Sequence, residues 1–188
     1  MVKITKNLKN IVLIITLIIL AVSWRVINHN FQIVPNLELV TVASVLAAVI
    51  IGWKAALIVP ISTMIMSDLI IGNSSIFIFT WSSFVVIGLS ALLLRKLVNK
   101  PKSQIIYSAG FAVASSFFFF IVTNFGVWVQ GWYPATVAGL TSCFVAAVPF
   151  YRTMLIGNLI LVPTAVSVWQ YIKARQTTKD LVVNSLVC

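Results

Sequence analysis

The sequence predicts an all-α integral membrane protein, and three observations carry that reading. First, 61% of the 188 residues are hydrophobic and 9% are charged, with a mean hydropathy of +1.09. So few charges cannot cover a soluble domain of this size. Lipid takes the place of water as solvent, and each backbone group must then be satisfied within a helix. Second, apolar runs approaching the ~20 residues of a bilayer crossing recur along the chain. Third, eleven of the thirteen Lys and Arg residues fall in four clusters between those runs: Lys3/Lys6/Lys9, Lys54, Arg95/Lys96/Lys100/Lys102 and Lys173/Arg175/Lys179. Only Arg25 and Arg152 stand elsewhere.

Taken in order, the runs predict six transmembrane helices in one domain over 1–188, at about 10–29, 37–53, 55–72, 76–96, 104–124 and 152–172. Lys3, Lys6 and Lys9 lead into the first. Ala21-Val22-Ser23 has the look of a signal-peptidase site, but the apolar run continues to Ile27, so an uncleaved first helix is expected. Pro35-Asn36 punctuates the loop before the second run, with Asn36 placed as an N-cap and Glu38 in the first turn. Gly52-Trp53-Lys54 predicts a tight cytoplasmic turn, and Gly72-Asn73-Ser74-Ser75 separates the third run from the fourth. Pro101 precedes the fifth, while Pro60 and Pro163 are positioned to break their own runs.

The segment 133–149, bounded by Pro134 and Pro149, is short for a span. If it crossed, Lys173, Arg175 and Lys179 would lie outside, against the bias of Lys and Arg toward cytoplasmic loops. It is therefore expected to be an external re-entrant or interfacial segment, with both termini cytoplasmic. The charge of +10 then belongs to juxtamembrane loops facing anionic lipid, and no nucleic-acid partner is implied. No Walker A, HExxH or CxxC motif occurs, so neither an enzyme nor a cofactor or metal centre is expected.

In that topology the outer side gathers Arg25, His29, Asn36, Glu38, Asp68, Asn124, Trp128, Trp132, Tyr133, Arg152 and Asn158. Charges at the edge of hydrocarbon are usually paired or functional, so Arg25 or Arg152 is expected to meet Glu38 or Asp68. Glu38 reads equally as a helix-terminal residue or as part of a site. His29 reads as an interfacial residue, for lack of metal-binding partners. Trp128, Trp132 and Tyr133 suit either an aromatic belt or a stacking wall over a flat ligand. Ser108, Ala112 and Ser116 recur every four residues and suit close helix packing, inside the bundle rather than against a docked partner. The Phe117–Phe120 run suits lipid contact or bundle packing, and Cys143 reads as a small apolar packer or as a thiolate facing an outer pocket.

Pro35-Asn36, Gly52-Trp53-Lys54-Ala55-Ala56, Pro60, Ser67-Asp68 and Gly72 together resemble the second and third helices of the substrate-binding subunits of energy-coupling-factor vitamin transporters. Thr123-Asn124-Phe125-Gly126-Val127-Trp128, Tyr133-Pro134, Gly139-Leu140, Cys143 and Pro149-Phe150-Tyr151-Arg152 resemble a family of small bacterial inner-membrane proteins assigned to transport by name alone. Two stretches depart from these patterns: Ile11 to Leu20 is bulky where small residues would meet a scaffold, and Asn158 stands where an acid is usual. The resemblance implies a six-helix bundle in the bacterial inner (plasma) membrane that captures a micronutrient on its outer side. An ATPase and scaffold module would then drive uptake.

The resulting candidate site is Asn36, Glu38, Asp68, Asn124, Trp128, Trp132, Tyr133, Arg152 and Asn158, of a kind that mixes apolar walls with few convergent polar groups. Its rivals are a self-sufficient carrier or channel, a membrane hydrolase, for which a lone histidine is thin provision, and a membrane assembly or scaffold protein.

Overall fold

The computed structural model describes residues 2–97 and 101–187. Lys3, Lys6, Lys100, Lys102, Lys179 and Asp180 lie outside the residues whose side chains are described. Among the described residues there are seven helices: α1 (Val2–Phe31), α2 (Val40–Ile50), α3 (Trp53–Ile71), α4 (Phe77–Ser90), α5 (Leu92–Leu97), α6 (Pro101–Val129) and α7 (Val137–Val187). Helices α4 and α5 meet at Ala91 in one rod, Phe77–Lys96. Five helices are long and apolar enough to cross a membrane, and the chain is a multi-pass membrane protein.

Helix α2 is not one of the five. Its 11 residues reach only about 16 Å at 1.5 Å per residue, against a hydrocarbon core of about 30 Å. The expected 37–53 span is therefore shortened at its start. Pro35, a left-handed Asn36 (φ 63°) and the irregular backbone to Leu39 consume the residues that would have lengthened it. What α2 lacks in length it makes up in enclosure. Val40, Thr41, Ala43, Ser44, Val45, Ala47, Ala48 and Val49 are all buried, because small side chains on every face let neighbouring helices approach. Ala43 and Ala47 pack on Leu17, Ala21, Ala55 and Val59 of α1 and α3. Val45, Ala48 and Val49 pack on Ala91, Leu94, Ala112, Val162 and Val166 of the remaining helices.

The last two helices form an antiparallel hairpin. Phe120 of α6 meets Tyr151 of α7 at 4.8 Å between ring centroids, and Asn158 Nδ2 donates to Ser116 Oγ at 3.0 Å. Ser108, Ala112 and Ser116 are fully buried, so the stripe packs inside the bundle. The segment 133–149 is not a separate re-entrant or interfacial element: 130–136 is the turn, and Val137 onward is already α7, which passes through Pro149 and Pro163 without interruption. Proline is tolerated in such helices when neighbours brace both halves. Here Cys143 and Phe144 lean on Asn124 and Phe120 above Pro149, and Asn158 holds Ser116 below it.

Pro60 likewise leaves α3 continuous. It cannot donate to Ala56 O one turn back, and α4 approaches that carbonyl so closely at Gly88 that a Cβ there would collide with it. At the turn between α2 and α3, Arg95 Nη1 donates to Ile51 O at 2.9 Å. Gly52, at φ 127°, has the guanidinium where a side chain would begin. The tight turn expected at Gly52-Trp53-Lys54 is present. It forms one end of the bundle with Arg95 and Lys96, while the loops 32–39, 72–76 and 130–136 form the other, where Trp132 Nε1 donates to Ser75 Oγ at 3.2 Å.

Candidate functional site

The cavity at that second end exists because α2 stops short. Above Val40 the position of a full-length helix is taken by the loop 32–39, and α1 faces the α6–α7 hairpin across the space. Three adjoining hollows of about 270, 320 and 360 Å³ open there, and Arg25 lines all three. Phe84 and Met154 line the first hollow and Met154 also the second, and both belong to one buried apolar cluster with Val40, Met64 and Ile87.

The loop is held by α1. Asn28 Nδ2 donates to Val34 O at 2.8 Å and to Leu37 O at 3.1 Å, and its Oδ1 accepts from Val34 N at 2.9 Å. Trp24 Nε1 adds a bond to Leu37 O at 2.8 Å. Asn36 does not cap α2 as expected; its left-handed backbone, which Asn tolerates better than most residues, turns the loop instead. The cap is supplied by Glu38, whose Oε2 accepts from the Thr41 N–H at 2.9 Å, a favourable place for an acid at a helix N-terminus.

Arg25 reaches from α1 to α3, where Nη2 donates to Asp68 Oδ1 at 2.8 Å. Trp81 Nε1 of α4 donates to Asp68 Oδ2, also at 2.8 Å. Of the pairings considered from sequence, Arg25–Asp68 is the one that forms. The Asp68 side chain is 7% exposed, and with a counter-charge and a donor on each oxygen it meets the conditions under which a buried carboxylate is tolerated. Glu38 is placed differently. Its Oε1 is enclosed and has no hydrogen-bond partner, nor has Arg25 Nε. Asn158 donates one amide hydrogen to Ser116 Oγ, and its side chain lies beside the Glu38 carboxyl. Glu38 stands in the loop ahead of α2, outside the helical spans, and burial pushes its carboxyl above the usual carboxylate range against the pull of its bonds from Thr41.

Of the candidate residues, Asn36 and Glu38 line the first hollow, Asn36 and Asn124 the second, and Asp68 the third. Asn158 is buried just below, at 1% exposure. Asn124 Nδ2 is engaged by Phe120 O at 2.7 Å. Trp128, Trp132, Tyr133 and Arg152 line none of the three. Trp128 Nε1 donates to Pro134 O, Trp132 is 61% exposed, and Arg152 is exposed on the α7 face opposite Met154. The aromatic walls are instead Phe84, Phe119, Phe150 and Tyr151, with the Phe84 and Phe119 rings tilted against each other at 4.7 Å between centroids.

His29 lines the hollows from the exposed end of α1. Cys143 is buried against Asn124 O and lines none of them. Arg25 and Phe119 line the hollows and were absent from the candidate set. Phe119 was within reach, since Ser108, Ala112, Ser116, Phe119 and Thr123 follow one helical face. Phe84, Phe150 and Trp81 carried no comparable signal.

Among the described residues, no group of three or more His, Cys, Asp or Glu side chains converges to hold a metal ion. No curated protein and no solved structure matches the chain. A family profile matches residues 5–180, and the chain belongs to that family, a family of unknown function designated DUF6580.

Proposed function

We propose that this protein captures a small solute in the Arg25 cavity from the outer side of a bacterial inner membrane. In this reading it is the membrane-embedded binding subunit of a micronutrient importer, with energy from a separate ATPase and scaffold module of the energy-coupling-factor type. The observation that carries it is the cavity itself: polar groups with unused hydrogen-bond capacity stand over an apolar floor, at one end of a membrane bundle. Pockets that hold small molecules have this composition. The sidedness follows from Lys54, Arg95 and Lys96 at the opposite end, which the positive-inside bias places in the cytoplasm. The apolar floor separates the cavity from that side, so release inward requires the helices around α2 to move.

Native mass spectrometry of protein purified without extensive washing tests this reading. A small molecule should be retained by the wild type and lost from Asp68→Asn at unchanged helicity. Retention that is indifferent to Asp68→Asn and to Phe119→Ala would remove the cavity as the binding site. Uptake by the isolated chain in liposomes would replace the subunit reading with that of a self-sufficient carrier.

A further inference from the structure

The Arg95 end of the bundle carries charge that the protein does not balance. A hollow of about 400 Å³ opens there beside the turn from α2 to α3, larger than any of the three at the other end. Lys54, Arg95 and Lys96 line it, and Ile51, Trp53 and Leu92 give it apolar walls. No carboxylate lines it, and among the described residues none pairs with any of the three cations. Asp68 is committed to Arg25 at the opposite end, and Glu38 is enclosed there. Two of the cations are held in place. Arg95 Nη1 donates to Ile51 O at 2.9 Å, and the bare Gly52 leaves room for the guanidinium beside it. That bond uses one of the five N–H donors of an arginine. Lys54 Nζ stands 5.6 Å from the centroid of the Trp53 ring. Cations already fixed around a hollow give up little freedom when an anion arrives.

The position of the hollow identifies the anion. The positive-inside bias sets this end at the cytoplasmic leaflet, where acidic lipids concentrate and basic pockets between helices take their head groups. Trp53 is 59% exposed, as suits an indole at head-group level. Lys54, Arg95 and Lys96 are also exposed, and a free phosphate ion gains little from cations open to water. A lipid phosphate is kept at their level by its own acyl chains, so its local concentration is high. We propose that the hollow is a site for one acidic phospholipid, whose phosphate is met by Lys54, Arg95 and Lys96 and whose glycerol backbone lies against Ile51, Trp53 and Leu92. The inference is independent of the capture reading.

The test is native mass spectrometry of the full chain in detergent, titrated with dioleoyl phosphatidylglycerol or dioleoyl phosphatidylcholine. The two lipids share acyl chains and a phosphate and differ in net charge. One phosphatidylglycerol should bind at least about tenfold more tightly than phosphatidylcholine, the scale of about two cations near a lipid surface. The double variant Lys54→Gln/Lys96→Gln, which spares the Arg95 bond, should bring the two lipids within about threefold of each other. Lys54→Arg/Lys96→Arg should keep the preference. Equal affinity of the wild type for the two lipids overturns the inference, and that comparison decides the matter even where a variant fails to fold. A preference that Lys54→Gln/Lys96→Gln leaves intact, or that Lys173→Gln/Arg175→Gln removes equally, also overturns it, since the preference then belongs to the basic surface at large. Displacement of phosphatidylglycerol by inorganic phosphate at the same concentration would assign the hollow to the free ion and overturn the lipid site.

Discussion

An arginine bridges two distant parts of the chain at each end of the bundle, and the two bridges do opposite work. Arg25 reaches 43 residues along the sequence to a carboxylate. Arg95 reaches 44 residues to a backbone carbonyl, Ile51 O. At the Arg95 end the carbonyl belongs to the C-terminus of α2, where a cation complements the helix dipole and caps an orphan acceptor. The turn there is as tight as a chain can make, and the hollow beside it is lined by Lys54, Arg95 and Lys96 without an acid. At the Arg25 end, eight residues of loop replace the missing turns of α2. The arginine is neutralised there, and a carboxyl group with a free oxygen remains. A short central helix thus produces a sealed end and an open end, according to whether a tight turn or a loop continues from it.

Breaking the open end should have the largest effect. Asp68→Ala leaves a partly enclosed Arg25 and the Trp81 N–H without their acceptor, at a cost of about 3 kcal/mol, the lower part of the range for splitting a buried pair. Thermal unfolding in detergent should register this as a clear fall in Tm, and a loss under ~1 kcal/mol would show that the pair is solvated and structurally idle. Breaking the sealed end should cost less. Gly52→Ala demands a left-handed side chain at φ 127° facing the Arg95 guanidinium, a strain of about 2 kcal/mol. Its unfolding should be eased without any change in solute retention. Coupled loss of retention would mean that the two ends are not independent.

The smallest effect is the pH response of Glu38. Burial raises this carboxyl in the folded chain, so its contribution to stability is complete below the ordinary glutamate range and is lost as the pH rises through the folded value. The Tm of the wild type should decline over that window relative to Glu38→Gln. Parallel curves for the two proteins would show that Glu38 is better satisfied than its geometry indicates.

Much of the architecture was legible in the residues. Glycine and proline at 35, 52, 72 and 101 mark real boundaries, because each either supplies a backbone conformation or ends one. The four-residue spacing of Ser108, Ala112 and Ser116 correctly announced an inward face. The candidate site was legible in part. Asn36, Glu38, Asp68 and Asn124 converge on one cavity, since polar groups in an apolar chain have few places to go. Trp128 and Arg152 are turned away from the hollows by helix phase, and Trp132 and Tyr133 lie in the turn between α6 and α7. Pro149 misled for a related reason. In isolation proline reads as a helix end, but bracing by α6 on both sides keeps α7 intact.

By itself the sequence determined that the chain lives in a bilayer, that it turns at Gly52 and Gly72, and which few polar groups had to be accounted for, because hydropathy and backbone conformation are local properties. The tertiary structure alone decided that α2 is short and central, that Arg25 rather than Arg152 meets Asp68, and that Glu38 is left with a free oxygen. Those outcomes depend on which helices lie beside which and in what rotation. Such relations join residues tens of positions apart, and spacing along a single chain does not encode them.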